Sequence, residues 1–147
     1  MKKIAVLLLT GLMALSSKSQ FNASVNLGYS IGKSPTAGLD IGYNLKEINF
    51  HSGFLAHMSS SVDQGILTYV KAGHTFDIGS SFYATGSAGY AFLYKSADDK
   101  SKNSSQLLYS AEFGRKIEFR GEPLGLYIGA VKAGEFVIAN IGIRGYF

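Results

Sequence analysis

The 147-residue sequence contains no cysteine, only two prolines, and no apolar run long enough to cross a bilayer as a helix. Without cysteine there is no disulfide framework, no thiolate metal site and no lipid-modified N-terminal cysteine. The longest apolar run, Ile4 to Leu15, falls short of the ~20 residues a spanning helix requires. A usable charge excess is missing too. The formal charge of +4 and pI near 9.2 suggest a basic protein, but Lys2, Lys3 and Lys18 supply three of the fourteen basic residues. Once residues 1–19 are set aside, eleven bases face ten acids. No basic patch is left to bind a nucleic acid, and the length suits one domain.

Met1 to Gln20 has the three parts of a secretory signal: Lys2 and Lys3, the apolar run, then the small residues Ser16, Ser17 and Ser19. Cleavage after Ser19 satisfies the small-x-small rule, with cleavage after Ser16 as the competitor. The expected division is a signal peptide over 1–19 and one domain over 20–147.

That domain reads as eight strands. Phe21 to Ser30 alternates without a miss, with Phe21, Ala23, Val25, Leu27 and Tyr29 on one face and Asn22, Ser24, Asn26, Gly28 and Ser30 on the other. Ala37 to Leu45, Ile48 to Ser59 and Phe82 to Lys95 repeat the pattern, as do segments around Leu107 to Lys116, Leu124 to Val131 and Val137 to Phe147. Gly65 to Phe76 is more ambiguous; its expected phase turns Ile66, Val70, Ala72 and Phe76 outward and Tyr69, Lys71 and Thr75 inward. The connections are expected at Ile31 to Thr36, Lys46-Glu47, Ser60 to Gln64, Asp77 to Ser80, Ser96 to Ser105, Glu118 to Pro123 and Lys132 to Glu135. Only Ser96 to Ser105 is long, and its Ser, Asn, Lys and Asp content marks a solvated loop. Eight hairpin-linked strands with no helical period close most naturally into an up-and-down barrel.

Alternation leaves open which way the apolar face points. A soluble, lipocalin-like barrel would cover its outside with charges. Here the polar face is mainly Asn, Ser, Thr and Gly, small enough for a narrow interior, and most charges lie in connections. The apolar face carries Phe21, Tyr29, Tyr43, Phe50, Phe76, Phe82, Tyr90, Phe92, Tyr94 and Phe147 near strand ends, the placement of the aromatic girdles at two membrane interfaces. The expected fold class is therefore all-β: an eight-stranded antiparallel up-and-down transmembrane β-barrel preceded by a cleaved signal peptide.

The final stretch, FVIANIGIRGYF, alternates and ends on an aromatic. Phe147, Ile143 and Ile141 match the C-terminal signature of bacterial outer-membrane β-barrels, and Gly145 is smaller than is usual there. The chain thus resembles the small eight-stranded outer-membrane barrels of the OmpA and OmpX type. The resemblance implies an outer-membrane location, membrane lipid and the barrel-assembly machinery as partners, a monomer, and both termini in the periplasm. The connections 31–36, 60–64, 96–105 and 132–135 would then be extracellular.

Five charged residues face inward on these phases: Asp40, Lys71, Glu112, Lys116 and Arg144. A lone buried charge costs several kcal/mol, so two acids and three bases are expected to pair into a plug, with Asp40, Lys71 and Glu112 at one depth and Arg144 and Lys116 nearer the periplasmic end. Gly42→Ser, facing inward, is expected to be mild. His57-Met58-Ser59 invites comparison with lipid A-deacylating barrels, whose His-x-Ser pair it shares, but it lies on the third strand, lacks the following asparagine and faces inward. His51 and His57 are too far apart along a strand to share a metal directly, and no residue pattern calls for a cofactor. The Asn22 and Asn103 sequons carry no weight in a bacterial envelope. The expected role is non-enzymatic, structural or surface-interacting. A narrow pore, a lipid A-modifying enzyme and a soluble ligand-binding barrel are the alternatives.

Overall fold

The computed structural model describes residues 19–31, 34–57, 64–96 and 104–147. Residues 1–18 of the signal peptide expected over 1–19, Met58 and Ser59, and most of the long connection lie outside them. The strands are β1 (Ser19–Ser30), β2 (Pro35–Leu45), β3 (Ile48–His57), β4 (Gln64–Gly79), β5 (Phe82–Ser96), β6 (Ser104–Phe119), β7 (Glu122–Ala133) and β8 (Phe136–Tyr146). Each pairs antiparallel with the next, and β8 returns to β1 to close the barrel. The closing ladder runs from Asn22↔Tyr146 to Ser30↔Ile138. It is extended by two bonds at the terminus: Phe147 N–H donates to Phe21 O at 2.7 Å, and Phe21 N–H donates to Phe147 O at 3.1 Å.

The alternation in the sequence appears as an alternation in exposure. Phe21, Val25, Leu27 and Tyr29 are exposed while Asn22, Ser24, Asn26 and Ser30 are buried. β4 takes the expected phase, with Ile66, Val70 and Phe76 outside and Tyr69 and Lys71 inside. Several strands run further than their composition suggests. β4 continues through Asp77 to Gly79 with a register shift between those two residues, β6 begins at Ser104 and runs to Phe119, and β7 starts at Glu122. The polar residues there read as loop, yet their main chains still pair. The connections shrink accordingly to tight turns. Ser80 and Ser81 both have positive φ, as do Arg120 and Gly121, the backbone that lets a two-residue hairpin follow the strand twist. Gly121 meets that demand without strain.

Tight turns 46–47, 80–81 and 120–121, the start of β1 and the end of β8 gather at one end of the barrel, the turn end, and the opposite strand ends form the loop end. The interior differs between them. At the loop end the inward-facing Leu55, Leu67, Leu93, Leu108, Phe136 and Ile138 join a buried apolar cluster, within a face whose other residues are mainly small and polar. Ionised residues occupy the middle. Tyr83 and Tyr146, also buried, lie towards the turn end.

Room for these rings comes from glycine. Gly53 pairs with Tyr69, Gly114 with Tyr83, Gly142 with Tyr127 and Gly42 with His51. At each, an added Cβ would run into the partner's ring. This corrects the expectation for Gly42→Ser: a side chain there would meet the His51 ring and Asn22 Oδ1.

Two opposed substitutions test the faces. Ile41, 67 % exposed on the outside, should tolerate Arg poorly in a bilayer, at ~2–4 kcal/mol near mid-membrane, whereas the outward Ser52→Ala should be neutral. Gly42→Ala should lose about 1–3 kcal/mol through overpacking in micelles as well as bilayers. Folding yield in vesicles and urea midpoints in micelles measure both; an Ile41→Arg barrel that inserts as well as the parent would mean the faces are reversed.

Candidate functional site

Among the described residues, ionisable side chains inside the barrel concentrate at mid-height, and the charged members come from alternate strands. Asp40 (β2), Lys71 (β4), Glu112 (β6) and Arg144 (β8) all project inward and are buried. Alternate strands run in the same direction and are separated by one strand width, so long side chains from them meet across the lumen rather than along the wall.

Glu112 is the hub. Lys71 Nζ donates to its Oε1 at 2.9 Å and Arg144 Nη2 to its Oε2 at 2.8 Å. Each carboxylate oxygen therefore faces its own cation, and both bonds are charge-assisted. Lys71 also donates to Ser110 Oγ at 3.4 Å. The Arg144 guanidinium lies 4.8 Å from the centre of the Tyr127 ring and Lys71 Nζ 5.5 Å from that of Tyr69, which gives each cation an aromatic face in addition to its carboxylate.

Asp40 is held differently from the expected pairing with Lys71. His51 Nδ1 lies 2.5 Å from its Oδ1, and Tyr69 OH donates to its Oδ2 at 2.8 Å. Two further corrections follow. Arg144 joins the central cluster instead of lying apart towards the chain ends, because a long side chain from β8 reaches Glu112. Lys116, by contrast, leaves the network: it is exposed at the turn end, 3.2 Å from Asp77 Oδ1, with its side chain 46 % accessible. Four residues past Glu112 on β6, the barrel is already opening to solvent.

His51, Tyr69 and Tyr127 were the members not recognised as part of the cluster. Inward parity was the readable part of the signal for His51; the register that pairs it with Gly42 and Lys71, two positions from Asp40, comes from the fold. His57 lies apart from the cluster, with its Nδ1 3.1 Å from Ser34 Oγ; Ser59 of the His-x-Ser pair lies outside the described residues.

On the outside, the aromatic residues fall into two groups. Phe21, Tyr43, Phe50, Phe76, Phe82 and Phe147 lie towards the turn end, and Tyr29, Tyr90, Phe92 and Tyr94 towards the loop end. Phe21 and Tyr43, register partners, meet edge to face at 5.0 Å. Ile141 and Ile143 lie on the same outward face as Phe147 and are exposed.

No protein-family model matches the sequence, and no curated protein matches it. Solved structures do. The N-terminal β-barrel domain of Pseudomonas aeruginosa OprF superposes with a TM-score of 0.63 at 17% identity, covering 87% of this chain and 97% of that one. Neisserial surface protein A gives 0.56 at 13% identity over 88% and 96% of the two chains. A de novo designed transmembrane β-barrel gives 0.63 at 15% identity over 87% and 95%. The fold is that of the small eight-stranded outer-membrane β-barrels. A designed barrel among the matches makes plain that this fold by itself assigns no task.

The cluster makes a ranked prediction. Glu112→Gln leaves two buried cations without their shared carboxylate and should lose about 3–5 kcal/mol. Lys71→Met leaves Glu112 still paired with Arg144 and should lose less. Denaturant midpoints of the micelle-refolded barrels give the order; a larger loss for Lys71→Met would remove Glu112 from the centre of the network.

Proposed function

We propose that the protein is an integral outer-membrane β-barrel, monomeric and non-enzymatic, whose role is structural or surface-interacting and whose lumen is closed by its own side chains. The observation that carries this reading is the inversion of polarity. Ile41, Val25, Leu27, Ile128 and Ile141 are exposed on the outside while Lys71, Glu112 and Arg144 are buried within. A barrel in water would reverse this arrangement. In lipid the outer face is solvated by acyl chains, and the ionised groups satisfy one another in the lumen.

Two features support closure. The Lys71–Glu112–Arg144 bridge spans the middle of the lumen. The apolar cluster around Leu55, Leu67 and Leu108 fills the loop end, and an ion entering there would have to shed its water among aliphatic side chains. An eight-stranded barrel is just wide enough for side chains to fill. The two aromatic groups fit girdles at the two interfaces, and the outward Ile141, Ile143 and Phe147 fit a terminal signal read by the assembly machinery. The non-enzymatic reading draws on the likeness to OprF and Neisserial surface protein A. The connections at 31–34 and 134–135 are short, which leaves 58–63 and 97–103 as the candidates for contact at the cell surface.

Planar-bilayer recording tests closure: the parent should be electrically silent, and a steady, sizeable conductance would move the protein to the pore class. Cell fractionation with detergent extraction tests location, and recovery in the soluble periplasmic fraction would defeat the membrane reading. Deleting Phe147 separates signal from packing. Phe147 is 80 % exposed, so its loss should lower assembly in cells well below its effect on refolding in detergent; equal losses would make the ring a packing residue.

A further inference from the structure

The outer face carries a groove that differs from its neighbours in having a cation at one end. It occupies about 530 Å³ across β6, β7, β8 and β1 and is lined by Leu126, Ile128, Ile141, Ile143, Val25 and Leu27. Arg115 and Phe82 stand at its turn end. Successive register pairs explain its course. Arg115↔Leu126, Leu126↔Ile143 and Ile143↔Val25 form one row around the wall, and Phe113↔Ile128, Ile128↔Ile141 and Ile141↔Leu27 form the next, nearer the loop end. Because barrel strands tilt, rows perpendicular to them also slope. The groove between these rows runs obliquely from the turn end towards mid-height.

Arg115 has the outward parity of Phe113 and Leu107 and is exposed. Among the described residues it has no carboxylate partner. Its guanidinium instead lies 5.4 Å from the centre of the Phe82 ring, and Phe82 stacks on Phe113 at 5.8 Å with planes 17° apart. Phe82 begins β5, directly after the Ser80–Ser81 turn, and is the register partner of Arg115, so the guanidinium lies over a ring at its own level near the barrel's turn end. Its position puts the cation at the turn-end rim of an apolar wall, where a long side chain can keep its charged head at a membrane interface. The charge is oriented by the aromatic face and its hydrogen-bonding edge is left open. Two other grooves offer a contrast: the outward residues of one include Phe21, Ile41, Tyr43, Phe50 and Ser52, those of the other Tyr29, Ala111 and Ala139, and neither presents an outward charge.

We propose that this groove is a phospholipid site. One acyl chain lies along Leu126, Ile128, Ile141 and Leu27, and the phosphodiester is held at the turn-end interface by the Arg115 guanidinium. The inference rests on the membrane reading above. Charge complementarity chooses the occupant: a single exposed guanidinium with planar donors at the rim of an apolar trough matches an anionic phosphate joined to a hydrocarbon chain. A second barrel would have to bring its own anion to an apolar face at the same depth.

The test is native mass spectrometry of the protein refolded in detergent micelles with palmitoyl-oleoyl phosphatidylglycerol added, with barrel formation checked by a heat-dependent gel shift and insertion checked in vesicles. The parent should retain one lipid that Arg115→Gln retains about fivefold less, the order expected for one cation near a charged lipid surface. Arg115→Lys should recover part of the retention. Arg120→Gln removes a charge from the same end but outside the groove, and should leave retention unchanged. Ile128→Trp fills the groove with the charge intact and should lower retention. Dioleoylglycerol, which lacks the phosphate, should not distinguish parent from Arg115→Gln. Equal retention by parent and Arg115→Gln, an equal loss with Arg120→Gln, or no loss with Ile128→Trp would overturn the site. In a barrel that inserts normally, those results leave the membrane reading intact; failure to insert overturns both.

Discussion

In hydrocarbon an unpaired N–H or C=O has no water to turn to, and each one left open costs several kcal/mol. A sheet in that medium cannot keep an edge. The β1–β8 ladder removes the two edges this chain would otherwise expose, and it continues to the last residue through the paired main chains of Phe21 and Phe147. Once the ring is closed, every strand has an inside and an outside, and strict alternation follows. The outer positions must satisfy lipid and the inner ones must fill a space of fixed width. The charge cluster, the glycine placement and the oblique outer grooves are consequences of these two demands.

The inner demand is met in three ways along the axis. Aliphatic side chains pack at the loop end as they would in a water-soluble core, around Leu55, Leu67 and Ile138. Ionised groups neutralise one another at mid-height beside Tyr69 and Tyr127, and Tyr83 and Tyr146 lie lower down. Three lumen tyrosines sit opposite a glycine that cedes its volume: Tyr69 over Gly53, Tyr83 over Gly114, Tyr127 over Gly142. A narrow barrel can hold large side chains only if its register partners are small. The abundance of glycine in strands that would ordinarily exclude it has its physical reason here.

Much of this architecture could be read from the sequence because a period of two is so simple a signal. Strand number, the outward phases and the difficult phase of β4 all followed from it. Strand ends did not, since polar residues such as Asp77 and Glu118 suggest loop by composition while their main chains go on pairing. The interior was read less well than the exterior. Inward Leu55, Leu93 and Leu108 belong to a core whose depth no single strand reveals, and Gly42 looked permissive because the ring beside it lies on another strand. The same reason hid His51 and Tyr69 as the partners of Asp40: parity tells which way a side chain points, but only register tells whom it meets.

Register also gives the charge cluster a meaning beyond its net stability, which for buried ion pairs is often small. Hydrophobic alternation forbids a one-residue slip between strands, because that would turn every side chain to the wrong face. It does nothing against a two-residue slip, which preserves both faces. Such a slip displaces a side chain by about 6.6 Å along its strand, far beyond the 2.8 Å and 2.9 Å contacts that join Arg144 and Lys71 to Glu112. It would also move Tyr127 off Gly142 and Tyr83 off Gly114. The cluster links β4, β6 and β8, while Asp40 with His51 and Tyr69 links β2, β3 and β4. Between them they tie down strands from β2 round to β8, and the glycine and ring pairs add adjacent-strand constraints. Outward hydrophobicity selects the face of each strand; inward polarity selects, among the registers that keep that face, the one in which no buried charge is left alone.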